Sequence, residues 1–162
     1  MMPALPEYRR LRTLLDYDDT TGIFSWRKPT SNRVKSGDVA NCQDKAGYVV
    51  IRIDGALHKA HRLAWLYYYG SAPCAYIDHI DMDKSNNRIS NLRLATKAQN
   101  QANVIVRNDS RLGVKGVYFD AKRNKYLVKI RRQHIGRFNT LPEAIDAYKT
   151  AACIEFGEFA RT

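Results

Sequence analysis

The sequence DHIDMDKSNNRISNLRLATKAQNQAN, residues 78–103, decides how the rest of the chain is interpreted. It places a histidine directly after an acid at Asp78-His79, an asparagine twelve positions later at Asn91, and a further asparagine nine positions beyond that at Asn100. Polar side chains at this density cost free energy to order, so a chain that orders them generally uses them for chemistry or for binding. The stretch therefore predicts a functional site.

The local pattern of this stretch predicts strand, loop, strand and helix. The expected elements are a strand ending in Asp78-His79, a polar loop over 81–90, a second strand over 92–95, and a helix that Thr96 caps with Gln99 as its capping-box partner. Asn100 and Asn103 are three positions apart and share one face of that helix. His79 is thus expected at the end of the first strand and Asn100 one turn into the helix.

Three metal sites of other kinds are not favoured by the sequence. The loop starts at Asp81 like a calcium-binding loop, but its sixth position is Asn86 rather than glycine and its twelfth is Leu92 rather than glutamate. A structural zinc site lacks ligands, and the pair His58 and His61 has no third ligand close by in the sequence.

The chain before the site is predicted to be a scaffold of short elements. Expected are a helix around Leu11, Leu14 and Leu15, a hairpin over 16–26 turning at Thr21-Gly22, a basic loop over 27–46, a hairpin over 47–60 turning at Asp54-Gly55, and a helix over 61–70 ended by Gly70. The aromatic run in that last helix indicates core packing.

Composition favours a polyanion as the partner of this chain. The net charge is +11 over 162 residues, which suits nucleic acid or an anionic membrane. No apolar run approaches the roughly 20 residues of a membrane span, and the first residues lack the layout of a signal peptide. Three cysteines, far apart in sequence, indicate reduced thiols. Nucleic acid and a cytoplasmic location are therefore expected, with no membrane contact.

The last third of the chain predicts a three-stranded antiparallel sheet packed on one C-terminal helix. Strands are expected around 116–120, 126–131 and 133–138, followed by a helix that begins with the capping box Thr140 to Glu143 and ends at Gly157. Residues 108–142 hold nine basic and two acidic side chains, whereas residues 143–162 hold two basic and four acidic ones. With the helix on one face, the other face of the sheet is left open and basic.

The central stretch resembles the ββα-metal motif of HNH endonucleases, specifically the group carried by free-standing or intron-borne phage genes. The Asp-His pair, the Asn-x-Arg-x-x-Asn-Leu segment that begins at Asn86, and the helical Asn100 stand in the order and spacing of that family. The likeness covers roughly residues 10–107. The third letter of the motif is asparagine here rather than histidine, a variant familiar in the phage group.

The resemblance implies a phosphodiester hydrolase with one divalent cation, Mg²⁺ or Mn²⁺. His79 is expected to be the general base, because imidazole titrates near neutrality, and Asp78 and Asn100 are expected to be oxygen ligands. Asn91 is expected either to hold the His79 ring or to brace the loop. Arg93 and Arg88 are interpreted as phosphate contacts, with plain surface solvation as the alternative.

Residues 108–162 resemble the apetala-two (ethylene-response-factor) DNA-binding domain. Lys115-Gly116-Val117, Lys129-Ile130-Arg131, Ile135-Gly136-Arg137-Phe138 and the alanine-rich helix carry this likeness. It implies DNA contacts by Lys115, Tyr118, Lys129, Arg131, Arg132 and His134. The groove-contacting tryptophans of that family are absent, and the first turn differs in length.

Together these patterns predict an α+β protein with an HNH endonuclease domain over 1–107 and a DNA-binding domain over 108–162. The expected activity is a homing-type nick in double-stranded DNA, by a monomer on DNA or by a dimer, in the cytoplasm of the host cell if the gene belongs to a phage. The alternatives are a DNA-binding regulator with an inactive nuclease domain, an RNA-directed protein, and a packaging-associated phage nuclease.

Overall fold

The computed structural model describes residues 4–103 and 112–160. The chain divides into two compact units, Met1–Thr96 and Lys97–Thr162. The expected boundary after residue 107 lies outside the described residues, and the division into domains stays a prediction. Four helices and four small antiparallel sheets are found in the described ranges, which confirms the mixed α+β class. No helix in those ranges is long and apolar enough to cross a membrane.

The first unit alternates short hairpins with two helices. Its elements are α1 (Tyr8–Leu14), β1 (Leu15–Asp18), β2 (Ile23–Trp26), β3 (Cys42–Gln43), β4 (Val49–Ile53), β5 (Ala56–Lys59), α2 (Ala60–Tyr69), β6 (Tyr76–His79), a 3-10 turn (Ile89–Asn91) and β7 (Leu92–Ala95). The strands pair antiparallel as β1-β2, β3-β4-β5 and β6-β7. The predicted helices and hairpins are thus confirmed, except that Leu15 begins β1 instead of lying in the first helix. Strand β3 lies in a segment that was expected to be loop only.

One apolar core holds this unit together. The buried side chains come from α1, α2 and the strands, and they include Leu11, Leu14, Leu15, Phe24, Ile51, Ile53, Leu63, Ile77 and Leu92. Burying one such side chain contributes about 1.5–3 kcal/mol. Because Ile77 and Leu92 belong to this cluster, the β6-β7 hairpin is packed on the same core as α2.

Turn residues set the ends of these elements as the sequence predicts. Asp54 and Gly55 both have positive φ, 47° and 84°, which is the backbone of a tight two-residue hairpin turn. Gly70 ends α2 in the left-handed conformation at φ 72°, and its amide donates to the carbonyl of Leu66. The hairpin and the helix end are therefore local consequences of the sequence.

The second unit is a three-stranded sheet with one long helix. Its elements are α3 (Lys97–Ala102), β8 (Val117–Asp120), β9 (Lys125–Ile130), β10 (Gln133–Phe138), α4 (Leu141–Phe156) and a 3-10 turn (Gly157–Phe159). The sheet order is β10-β9-β8, antiparallel throughout, with a register shift between His134 and Gly136. Thr140 and Glu143 form both hydrogen bonds of the predicted capping box.

Helix α4 covers one face of that sheet. Val117, Val128 and Ile130 of the sheet form a buried cluster with Ala144, Tyr148 and Ala152 of the helix. The small alanines let the helix lie close to the strands. The opposite face carries Tyr118 beside Leu127 and Arg137 in one cross-strand row, and Lys129 beside His134 in another.

Candidate active site

Asp78 and His79 are the last two residues of β6, and both are buried. Their relative exposures are 4% and 5%. Asp78 lies opposite Arg93 in the β6-β7 ladder, and the Arg93 side chain donates to Asp78 Oδ2 from Nε at 3.0 Å and from Nη2 at 2.9 Å. Both groups are nearly excluded from water, so the pair fixes the orientation of the carboxylate.

The His79 ring is held on one side by Asn87. His79 Nε2 lies 3.3 Å from Asn87 Oδ1, and the Asn87 amide nitrogen donates to the carbonyl of Ser85 at 3.0 Å. The amide is thereby oriented with its oxygen toward the ring. Because an amide oxygen can only accept, Nε2 carries the hydrogen and Nδ1 carries the lone pair.

His61 and Tyr48 form the other side of the His79 environment. The His61 ring, on the first turn of α2, meets the His79 ring edge-to-face with centroids 5.1 Å apart. Tyr48 lies 5.4 Å from the His61 ring and 6.1 Å from the His79 ring, centroid to centroid. Buried His61 Nδ1 has no hydrogen-bond partner among the described residues. The two imidazoles therefore meet in an environment that is largely closed to water.

Burial lowers the pKa values of both imidazoles. For His61 the pKa falls to about 3, chiefly through loss of hydration and further through repulsion from Lys59, from Arg62 and from His79 when that ring is protonated. For His79 burial also lowers the pKa, although the hydrogen bond to Asn87 and nearby aspartates oppose it. His79 is therefore neutral at ordinary pH, which is the form that can accept a proton.

Asn91 braces the loop that follows β6. Its side-chain nitrogen donates to Asp81 Oδ1 and to the carbonyl of Asn86, both at 2.9 Å, and its side-chain oxygen accepts from the Asp81 amide at 3.1 Å. Its own carbonyl accepts from the amide of Ile80 at 2.9 Å. These contacts match loop bracing, the second of the two roles that the sequence left open for Asn91.

The loop carboxylates are engaged with the loop itself. Asp81 Oδ1 accepts from the Asp83 amide at 2.8 Å, and Asp83 Oδ1 accepts from the Ser85 amide at 2.9 Å. Hydrogen bonds from Ser85 hold the pKa of Asp83 below its usual range. In the described part of the chain no group of three or more histidine, cysteine or acidic side chains is placed to hold a metal. A cation here would need amide, water or phosphate oxygens as well.

Asn87 is a site residue that sequence reasoning missed. It is 2% exposed, and its main-chain carbonyl accepts a hydrogen bond of 2.7 Å from the Tyr17 hydroxyl. Gly22, at φ +74°, packs directly on the same segment, where an added Cβ would lie 2.5 Å from the Asn87 carbonyl carbon. The one sequence feature that could have pointed to Asn87 is the pair of adjacent asparagines at positions 86 and 87. Nothing local in the sequence could show that a hairpin some 70 positions earlier supports it.

Two lysines beside Tyr48 were also missed. Lys59 Nζ lies 4.0 Å from the centroid of the Tyr48 ring, and Lys84 Nζ lies 5.0 Å from it. Lys59 is paired with Asp44, and Lys84 donates to the carbonyl of Ala46. Asp44 offsets the charge of Lys59, whereas Lys84 contacts a neutral carbonyl and adds positive charge beside Tyr48.

Asn100, the remaining site residue predicted from the motif, lies on α3 in the second unit. Its assignment as a metal ligand stays a prediction from the motif. Arg93, expected to contact phosphate, has a side chain only 14% exposed and paired with Asp78. Arg88 is exposed.

The predicted DNA-contact residues of the second unit fall into two groups. Tyr118, Lys129 and His134 lie on the sheet face that α4 leaves open, where Tyr118 is 57% exposed. The remaining three residues are placed elsewhere: Arg131 pairs with Glu155 of α4 at 3.1 Å, Arg132 is exposed in the β9-β10 turn, and Lys115 donates to the carbonyl of Ala102 at 2.6 Å. Arg137 shares the open face and was not predicted.

Comparison with known proteins identifies the segment that contains this site. Residues 58–102 match the HNH endonuclease family. The chain is also 33% identical over 121 residues to an uncharacterized HNH endonuclease, L560, of Acanthamoeba polyphaga mimivirus. That alignment covers 72% of this chain and 62% of the relative, so the chain spans less than two thirds of that protein's length. No solved structure matches the chain. The apetala-two likeness of residues 108–162 stays a prediction.

Proposed function

We propose that the chain is a metal-dependent DNA endonuclease of the HNH type, and that His79 is its general base. The observation that carries the proposal is the pair at the end of β6: a buried carboxylate on Asp78 followed by a buried imidazole on His79, with Nε2 held by Asn87. The match of residues 58–102 to the HNH endonuclease family supports the same assignment.

The geometry suits proton abstraction from water. With Nε2 directed to Asn87 Oδ1, the lone pair on Nδ1 of His79 is the basic site. Because burial lowers the pKa of this imidazole, the base is present in its neutral form at neutral pH. His79 thus takes the proton from the water that attacks the scissile phosphate.

The residues at the site fit a hard divalent cation of the Mg²⁺ or Mn²⁺ kind. Asp78 offers a carboxylate oxygen at a strand end, and Arg93 fixes its orientation. A site with few protein ligands leaves positions for water and DNA oxygens, as Mg²⁺ prefers. When bound, the cation supplies charge stabilisation at the phosphate and at the leaving oxygen. Asn100 is the second protein ligand that the motif assigns.

The second unit is proposed to bind double-stranded DNA through its open sheet face. Tyr118, Lys129, His134 and Arg137 lie on that face, and the chain carries a net charge of +11. Tethering a DNA-binding unit to a nuclease raises the effective concentration of substrate at the site. One catalytic histidine and one cation act on one strand, so the expected product is a nick made by a monomer, in the manner of a homing endonuclease.

The test is cleavage of supercoiled plasmid by the full chain with Mg²⁺ or Mn²⁺. Wild type is expected to convert supercoiled DNA to the relaxed circle before any linear form accumulates. His79→Ala is expected to leave the plasmid intact while still shifting DNA in a gel, and EDTA is expected to stop wild type. Tryptophan fluorescence reports whether the variant is folded, because Trp26 and Trp65 both lie in the first unit.

Two of the alternative functions give distinct results, the DNA-binding regulator in this assay and the RNA-directed protein with an RNA substrate. If wild type and His79→Ala both shift DNA and both leave it intact with either cation, the chain is a binding protein with an inactive nuclease domain. Cleavage of structured RNA in preference to duplex DNA contradicts the proposed substrate. Equal cleavage by wild type and His79→Ala contradicts the assignment of the base.

A further inference from the structure

We propose that Asn87 is the positioning residue of the catalytic histidine: it selects the Nε2-protonated tautomer of His79 and fixes the plane of the ring. This inference rests on the proposed nuclease function and adds to it a residue that lies outside the Asp-His, Asn91 and Asn100 pattern. It also assigns the first hairpin, β1-β2, the role of holding Asn87 in place.

The first step is the orientation of the amide. Asn87 Nδ2 donates to the carbonyl of Ser85 at 3.0 Å, and Oδ1 lies 3.3 Å from His79 Nε2. If the amide were turned over, its NH₂ group would face the ring and the Ser85 carbonyl would meet an oxygen, which removes a hydrogen bond and leaves two acceptors in contact. The contact with Ser85 therefore dictates which ring nitrogen of His79 is protonated.

The second step is the rigidity of Asn87. It is 2% exposed and ranks among the largest fully buried side chains of the described residues. The Tyr17 hydroxyl of β1 donates to its carbonyl at 2.7 Å, and Tyr17 itself packs on Phe24 and Tyr67, with ring centroids 4.7 and 5.7 Å away. An amide anchored at its main chain and at its nitrogen presents its oxygen to His79 in one place.

The third step is the close contact of Gly22 with the same segment. A Cβ at Gly22 would lie 2.3 Å from the Arg88 amide nitrogen and 2.5 Å from the Asn87 carbonyl carbon. Only glycine lets the β1-β2 turn approach the backbone this closely. The hairpin is thereby seated directly on the segment that carries the positioning amide.

Asn91 has a different task, although it is in the same loop. Its side chain bonds to Asp81 and to the carbonyl of Asn86, which closes the loop. Loop closure and ring orientation are thus divided between two asparagines. A variant of Asn87 should alter the ring of His79 while leaving the loop closed.

The experiment combines ¹⁵N–¹H correlation spectra of the imidazoles with single-turnover cleavage. Full-length protein is labelled at histidine, and the His79 signals are assigned by their loss in His79→Ala. Wild type is expected to show the pattern of an imidazole protonated at Nε2. Asn87→Leu, which keeps the volume and removes the acceptor, is expected to give a mixture of tautomers. It is also expected to lower the cleavage rate about 10–100-fold, with DNA affinity unchanged.

Two further variants separate positioning from packing. Asn87→Asp keeps an acceptor oxygen next to Nε2 but replaces the donor to the Ser85 carbonyl with a second oxygen. It is therefore expected to retain the Nε2-protonated pattern, with a cleavage rate below that of wild type because the contact with Ser85 is lost. Asn86→Leu removes the neighbouring amide, whose described bonds are to Asp81 and Arg88, and is expected to keep the His79 tautomer. If Asn87→Leu fails to fold, Asn87→Asp still provides the comparison with wild type.

Protonation of His79 at Nδ1 in wild type overturns the proposal. So does an Asn87→Leu variant that is folded and keeps both the Nε2-protonated pattern and the wild-type rate, or an Asn87→Asp variant that shifts to Nδ1 protonation. If wild type does not cleave DNA at all, the nuclease proposal fails, while the spectra still decide whether Asn87 sets the tautomer.

Discussion

Arg93 donates to Asp78 Oδ2 from two nitrogens across the β6-β7 ladder, with side-chain exposures of only 14% and 5%. Removing one member of a buried ion pair is destabilising, typically by about 3–5 kcal/mol. Arg93→Met is therefore expected to lower the free energy of unfolding of the first unit by that amount. Urea unfolding followed by tryptophan fluorescence measures the loss, because both tryptophans lie in that unit.

The matched control for this pair is the exposed pair Arg10–Asp54. Its side chains are 44% and 52% exposed, and ion pairs of this kind contribute little to stability. Arg10→Met should leave the unfolding midpoint nearly unchanged, and Asp78→Asn combined with Arg93→Met should be more stable than Arg93→Met alone. A loss for Arg93→Met no greater than that for Arg10→Met contradicts the structural role of the buried pair.

Gly22→Ala is expected to damage both stability and cleavage. The residue has φ +74°, and a Cβ would lie within 2.5 Å of backbone atoms of Asn87 and Arg88, which cannot rotate away. Gly47→Ala is the control, since it has φ +85° and open space around a Cβ. Gly47→Ala should lower the free energy of unfolding by about 1–2 kcal/mol, the cost of placing alanine in the left-handed conformation.

The difference between the two glycine variants isolates the contact with the active-site segment. Gly22→Ala is expected to lower the free energy of unfolding by about 1–3 kcal/mol more than Gly47→Ala does, because the added Cβ overpacks the contact. It is also expected to cleave plasmid more slowly. Urea unfolding and the plasmid assay measure the two effects. Equal losses in both variants would show that the close packing of the first hairpin on the Asn87 segment is unimportant.

The elements of this protein could be predicted because their signals are local. The Asp54-Gly55 turn, the glycine that ends α2 and the capping box of α4 each depend on residues within a few positions of one another. The paired strands that carry Asp78 and His79 could be predicted for the same reason. The short strand β3 could not, because its two residues sit in a polar segment and are ordered by pairing with β4.

The surroundings of the site could not be predicted because their contacts are between distant parts of the chain. Tyr17 reaches Asn87 over 70 positions, and His61 reaches His79 from a different element. Arg93 was expected to contact phosphate or to be solvated at the surface, because its position opposite Asp78 is evident only from the β6-β7 register. Spacing within the motif predicts which residues do chemistry, whereas only the tertiary fold shows which residues contact them.

His61 is expected to make the first unit less stable in acid. Burial lowers its pKa to about 3 in the folded state, against about 6.5 when unfolded. Below pH 6.5 the unfolded chain therefore binds a proton that the folded chain does not. This group then lowers the free energy of unfolding by about 1.4 kcal/mol for each unit by which the pH is lowered. Above pH 6.5 the contribution is fully present and constant.

The variant His61→Leu removes this titration. Its free energy of unfolding, measured by urea titrations at several values between about pH 6.5 and 4.5, should fall with a slope smaller than that of wild type by about 1.4 kcal/mol per pH unit. His134→Leu, in the second unit, is the control variant, because the tryptophan signal reports unfolding of the first unit. Identical slopes for wild type and His61→Leu would contradict a buried, neutral His61.

The open sheet face of the second unit should account for much of the salt-dependent binding of DNA. Each cation that contacts a phosphate releases counterions, so its removal reduces the slope of log K against log salt by about one. Lys129→Gln and Arg137→Gln, made in the cleavage-deficient His79→Ala chain, are each expected to weaken binding and to flatten that slope. Lys149→Gln, on the exposed side of α4, is the matched control and should change neither. Fluorescence anisotropy at several salt concentrations measures the affinity of each variant for DNA. An equal change for Lys149→Gln would mean that the total charge of the unit, rather than its open face, sets the affinity.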